Sequence, residues 1–177
     1  MKSYYLLLLF QVTSLCAYCQ DIPAKYDELI RRITEINNDS SHDKVTVENE
    51  EFMPRSTDGG GELAGYFKHG QIQKMTRQIW LSNGVEVYDY YFTDGKLSFI
   101  YETFHQFQYN AEQGNFDYSK TELSFTGRYY FAENKLVDSE TTGHNRFEDD
   151  SIDIEKILLA ESDKNLRKLQ QKMINRK

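Results

Sequence analysis

The stretch YYFTDGKL, residues 90–97, decides the fold. Two variants recur: GYFKHGQI at 65–72 and YYFAENKL at 129–136. Each runs from aromatic residues into a two-residue turn and out through a basic or polar residue and an aliphatic one. Asp94-Gly95 suits the left-handed dihedrals of a tight hairpin turn. Thr93 then faces Lys96, and Phe92 faces Leu97. Counting on without interruption sets Tyr90 against Phe99 and Tyr88 against Tyr101. Tyr88, Tyr90, Phe92, Leu97, Phe99 and Tyr101 therefore share one core face, because side chains alternate along a strand. The same count pairs Phe67 with Ile72 across His69-Gly70, and Phe131 with Leu136 across Glu133-Asn134. Asn83-Gly84 is a fourth turn, pairing Trp80 with Val87 and Ile79 with Tyr88. Burying one phenylalanine or leucine stabilises by about 1.5–3 kcal/mol, so these pairs are strong enough to set register.

Outward from these turns, strands are expected at roughly 62–68, 71–81, 85–93, 96–108, 118–132 and 135–142. No helix-length insert separates them, so neighbours in sequence are neighbours in space, as in a meander. Lys44 to Val47 is a further short candidate strand. Residues 54–61, PRSTDGGG, form a loop. A glycine run can cradle phosphate at a helix N-terminus, but a strand follows here.

A helix flanks the strands on each side. The first opens at Asp21-Ile22-Pro23 and carries Tyr26, Leu29, Ile30, Ile33 and Ile36 as one apolar stripe. Asn37 to Ser41 ends it. The second is capped by Asp149, Asp150 or Ser151, and its stripe is Ile154, Ile157, Leu158, Leu166, Leu169 and Met173, with a slip near Asp163. The fold class is α+β: an antiparallel β-meander of about six strands, with an N-terminal and a C-terminal amphipathic helix covering its apolar face.

Residues 1–19 read as a signal peptide. Lys2 is the only charge, Tyr4 to Phe10 is apolar, and Ala17 and Cys19 are the small pair before the cut at Cys19/Gln20. The residues before Cys16 and Cys19 are Leu15 and Tyr18, which argues against a lipid anchor. Cleavage leaves one domain, residues 20–177, without cysteine. Disulfides, thiolate catalysis and cysteine metal sites are then excluded. The whole chain carries a formal charge of −7, which disfavours nucleic acid and anionic membrane surfaces. No integral membrane segment remains after the leader.

The chemistry-bearing residues are sparse. His69 lies in a turn, and His42 and His144 in polar loops. His105 lies in a strand, on the parity of Phe107 and Tyr101. No two histidines have zinc-ligand spacing. Glu48, Glu50 and Glu51, and Glu148, Asp149, Asp150 and Asp153, are acidic clusters without the calcium-loop pattern. No metal and no cofactor is expected. By parity, the face opposite the core carries Tyr66, Tyr91 and Tyr130 beside Asp89 and Glu102. Tyrosine, with an apolar body and a polar tip, suits sugar or protein contacts. Asp89 and Glu102 on one face also make a candidate acid pair for glycoside chemistry.

The YYFTDGKL and YYFAENKL hairpins, with GGGELAGYFKHGQI upstream, resemble a group of small secreted or periplasmic proteins from Bacteroidetes-type bacteria. The resemblance covers residues 59–142 and implies export, with no activity to carry over. A weaker likeness to MORN hairpin repeats departs from that pattern in its irregular spacing and its missing glycine-rich second half. The expectation is a secreted or periplasmic, non-enzymatic domain that binds a protein or carbohydrate through its tyrosine face. The alternatives are an acid/base hydrolase using Asp89 and Glu102, a structural part of an envelope assembly, and an inhibitor or immunity-type protein.

Overall fold

The computed structural model describes residues 24–53, 57, 59–144, 147, 149 and 151–176. The proposed leader, the opening Asp21-Ile22-Pro23 and half of the PRSTDGGG loop, residues 54–56 and 58, lie outside the described residues. A short 3-10 turn, Ala24–Tyr26, leads into α1 (Asp27–Asn38). Then follow β1 (Asp43–Glu48), the one-turn α2 (Asn49–Phe52), β2 (Gly61–Lys68), β3 (Gln71–Leu81) and β4 (Gly84–Thr93). β5 (Lys96–Asn110), β6 (Asn115–Ala132), β7 (Lys135–Thr142) and α3 (Ile154–Ile174) complete the order. The strands form one antiparallel sheet in chain order, β1 to β7, so the α+β meander holds with a seventh strand at Asp43–Glu48. No helix among the described residues is long and apolar enough to cross a membrane.

The three quoted hairpins turn as their residues require. His69-Gly70, Asp94-Gly95 and Glu133-Asn134 all have both central residues at positive φ, between 50° and 78°. That is the geometry whose twist matches flanking strands. Phe67–Ile72, Phe92–Leu97 and Phe131–Leu136 pair as the turns dictate. The fourth turn differs. Leu81 pairs with Gly84 and Trp80 with Val85, so the turn residues are Ser82 and Asn83. Gly84 is a strand residue, paired with Leu81 and Gln106, and a Cβ there would meet the His105 carbonyl oxygen at 2.5 Å.

Beyond each turn the uninterrupted count fails in the same way. Register shifts between Tyr66 and Phe67, between Tyr91 and Phe92, and between Tyr130 and Phe131. Each second strand carries one extra residue: Gln73, Ser98 or Val137. The Ser98 hydroxyl donates to the Tyr91 carbonyl oxygen at 3.0 Å, and Gln73 Nε2 donates to the Ile72 carbonyl oxygen at 3.3 Å. These are β-bulges, and one extra residue reverses the facing of everything beyond it. Tyr90 therefore pairs with Ile100, Tyr91 with Phe99, and Tyr88 with Glu102. Phe99 and Tyr101 leave the expected core face, and Ile100 and Glu102 take their places.

The sheet is covered on both faces, not on one. α3 packs Leu158, Leu169, Ile157 and Leu166 against Leu63, Met75, Tyr88, Tyr90, Ile100 and Tyr129. α1 packs its expected stripe, Tyr26, Leu29, Ile30, Ile33 and Ile36, against Tyr91, Phe99 and Tyr130 on the other face. The bulges place those three rings there, so the N-terminal helix has its own aromatic floor. The cap of α3 is Asp153, whose carboxylate accepts from Lys156 N at 3.0 Å, rather than a residue of 149–151.

Candidate functional site

The five residues expected to form a binding face do not share one. Tyr91 is 4% exposed and Tyr130 is 1% exposed, both under α1. Tyr26 stacks on Tyr130 at 3.8 Å between ring centroids. Asn37 closes the other end of the helix, accepting from Tyr91 Oη at 3.1 Å and from Lys74 Nζ at 3.0 Å. Burial raises the Tyr91 phenol above its ordinary pKa. Tyr66 remains half-exposed at the margin, with Lys44 Nζ 5.8 Å from its ring centroid.

The acid pair is also separated. Asp89 pairs with Tyr101, whereas Glu102 pairs with Tyr88, so the two carboxylates point to opposite faces. Asp89 accepts from Thr76 Oγ1 at 2.6 Å and lies 3.0 Å from Lys74 Nζ. Glu102 is buried on the α3 face, 4% exposed. It accepts from Tyr88 Oη at 2.5 Å and from Tyr129 Oη at 2.9 Å. Close by, Arg77 spans Glu86 at 3.1 Å and Glu161 of α3 at 3.6 Å, with its guanidinium 4.3 Å from the Tyr88 ring centroid. This buried polar cluster draws on four strands, β3 to β6, and Arg77 ties it to Glu161 of α3. Two carboxylates on opposite faces of one sheet cannot flank a common substrate bond.

α1 covers only the end of its face nearest the turns at 69–70, 94–95 and 133–134. At the other end Trp80, Val85 and Phe107 lie on that same face, with no helix over them among the described residues. They line a groove of about 610 Å³, together with Leu81, Ser82 and Tyr118. Its aromatic wall arises from another irregularity. Phe107 pairs with Thr121, but Gln108 pairs with Asp117, so residues 118–120 bow out of β6. Asp117 holds the excursion, accepting from Ser119 N at 3.0 Å and Ser119 Oγ at 2.6 Å. Tyr118 is thereby set edge-on to Phe107, 5.0 Å between centroids and 73° between planes, and stays 66% exposed.

The same region projects from the sheet. β4 pairs with β5 only as far as Gln106, and β7 pairs with β6 only from Thr126 onward. The ribbon of residues 107–125 therefore has no outer strand on either side among the described residues. It also shows Tyr109 at 61% exposure and Leu123 at 52%. Sequence reasoning missed Trp80, Phe107 and Tyr118, because their grouping depends on the displaced fourth turn and on the excursion in β6. The one available signal was Trp80, the single tryptophan, in a strand whose neighbours are half polar.

Among the described residues, no group of three histidine, cysteine or acidic side chains is placed to hold a metal ion. No protein-family model matches the chain, and neither a curated protein nor a solved structure matches it.

Proposed function

We propose that this chain is a secreted or periplasmic, non-enzymatic binding domain whose ligand docks on the half of the sheet that α1 leaves open. The observation that carries this reading is the groove between Trp80 and Tyr118, where no helix among the described residues covers the aromatic rings. Apolar and aromatic groups grouped at a surface favour interaction sites, because covering them removes apolar area from water. The apolar leader at residues 4–10 supports export. The hydrolase alternative has lost its acid pair, since Asp89 and Glu102 face opposite ways.

The test is affinity capture from envelope and medium fractions with the purified protein, beside a Trp80→Ala, Tyr118→Ala variant checked for folding by circular dichroism. A ligand held by the parent and lost by the folded variant supports the groove. Equal capture by both refutes it.

An inhibitor-type role is the second reading, favoured by the projecting ribbon of 107–125 with Tyr109 and Leu123 exposed. A protein partner lost on Tyr109→Ala, Leu123→Ala but kept by Trp80→Ala would move the contact to that ribbon.

A further inference from the structure

We infer that α3 is the face by which this protein lies on an anionic lipid bilayer, held by Lys164, Arg167 and Lys168. This contact is separate from the groove and goes beyond the binding role proposed above.

The formal charge of −7 averages two unlike parts. Of 21 basic and 28 acidic residues, residues 164–177 hold six basic and no acidic ones. That segment is +6, and the rest, with 15 basic and 28 acidic residues, is −13. The apolar stripe of α3 is spent on the sheet, which turns the cations outward. Lys164, Arg167 and Lys168 are exposed and make no ion pair among the described residues. Lys172 is met by Glu51 at 2.7 Å, and Arg176 donates to a neutral partner, the Lys44 carbonyl oxygen, at 3.0 Å. Setting the three carboxylates of Glu50, Glu51 and Asp163 against all six cations still leaves +3.

Local stability does not account for these cations. Lys164–Lys168 and Lys168–Lys172 are like charges four residues apart, and Lys164–Arg167 three apart, spacings at which like charges weaken a helix. The helix dipole favours cations only in the last turn, which covers Lys172 but not Lys164, Arg167 or Lys168. Residues that work against their own helix are expected where they meet a partner.

The surroundings of the cations select that partner. Residues 152–177 contain no aromatic ring. Nucleic acid bases have nothing to stack on, and a protein partner has no aromatic anchor of the kind that dominates tight interfaces. The hollow beside Lys168 and Lys172 is shared with Glu51, so a small free anion finds no cage. A charged plane needs neither rings nor a cage. Arg167 and Ile174, seven residues apart, share the exposed side of the helix, and Ile174 is 66% exposed. It supplies the apolar contact that interfacial helices bury among headgroups. The acidic remainder of the chain confines the contact to this end of α3. α3 and the groove lie on opposite faces of the sheet, so a bilayer under α3 leaves the groove open.

The experiment sediments the purified protein with phosphatidylcholine vesicles, and with vesicles in which about one lipid in three is phosphatidylglycerol, at about 0.05 M and about 0.5 M salt. The expected result is binding to the anionic vesicles at low salt, none to the neutral ones, and loss at high salt, where the screening length falls about threefold. Each cation at an anionic surface strengthens binding roughly fivefold (about 1 kcal/mol). Arg167→Gln should therefore weaken it about fivefold, and Lys164→Gln, Arg167→Gln, Lys168→Gln together about a hundredfold. Removing like charges should leave the urea midpoint level or higher, and Lys164→Arg, Lys168→Arg should bind as the parent does. Trp80, the single tryptophan, reads the orientation: headgroup-spin-labelled lipid should leave its emission unquenched.

Absence of binding to the anionic vesicles, equal binding to the neutral ones, or binding unmoved by the folded triple variant overturns the inference. So does quenching of Trp80, which would put the groove face down. Displacement from the vesicles by an equal charge of duplex DNA or polyglutamate would give the cations to a soluble polyanion and sink the bilayer. None of these results touches capture of a ligand at the groove.

Discussion

Tyr129 and Tyr130 are adjacent, and both are almost fully buried, yet losing a hydroxyl should have opposite consequences at the two positions. Tyr129 faces α3 and donates to Glu102 at 2.9 Å. Tyr129→Phe leaves a buried carboxyl oxygen short of a donor, which costs about 1–3 kcal/mol. Tyr130 faces α1 and packs between Tyr26 and Phe99, at 3.8 Å and 5.1 Å between centroids. Its hydroxyl is buried without a hydrogen-bond partner among the described residues. Tyr130→Phe keeps the ring and removes an unsatisfied group, so stability should hold or rise by up to about 1 kcal/mol. Urea unfolding checks this directly: with the slope unchanged, the midpoint of Tyr129→Phe falls and that of Tyr130→Phe does not. On heating, a chain of this size shifts by about 2–4 °C per kcal/mol. Equal losses at both positions, or a loss at Tyr130 alone, would refute the assignment of the two rings to opposite faces.

Two further outcomes are expected. Deleting Ser98 removes the bulge in β5 and forces two or more buried side chains on one side of the deletion to exchange faces. At about 1.5–3 kcal/mol for each, the loss should exceed about 3 kcal/mol, and a deletion variant with the parent urea midpoint would contradict the bulge. Acid should weaken the fold through Asp39 and Asp138. Lys68 and then Ser41 hold the Asp39 carboxyl well below its ordinary range, and Lys25 and then Tyr26 lower that of Asp138. A folded pKa below the unfolded value, about 3.9, means the unfolded chain binds more protons as pH falls through that region. The stabilisation is present above about pH 4 and is lost as pH falls toward the folded values. Asp39→Asn and Asp138→Asn should flatten the fall of the urea midpoint below about pH 4, and an unchanged slope would show that these contacts do not matter in solution.

Much of the architecture was legible because it is local. Positive φ at His69-Gly70 and Asp94-Gly95 follows from residues that tolerate it, and each turn fixes the first pair beyond it. The helical stripes from Tyr26 to Ile36 and from Ile154 to Met173 pack as their spacing requires. The site was less legible. Strand parity points to the face opposite the larger core, and Trp80 and Phe107 lie on that side. Tyr91 and Tyr130 on that face serve instead as the floor of α1.

The chain alone determines that it makes hairpins, where they turn, and which stripe each helix buries, since these depend on residues a few positions apart. Only the tertiary structure decides which face a residue beyond a bulge occupies. Gln73, Ser98 and Val137 share no chemistry, so nothing in their identity announces an extra residue. The bulge is set by what the two faces need: aromatic rings under α1, and Ile100 with the Glu102 cluster under α3. The open groove is likewise a tertiary result. It exists because α1 lies across the strands near their turns, from Asp138 of β7 at Tyr26 to Lys74 of β3 at Asn37, and because Tyr118 bows out of β6 to meet Phe107.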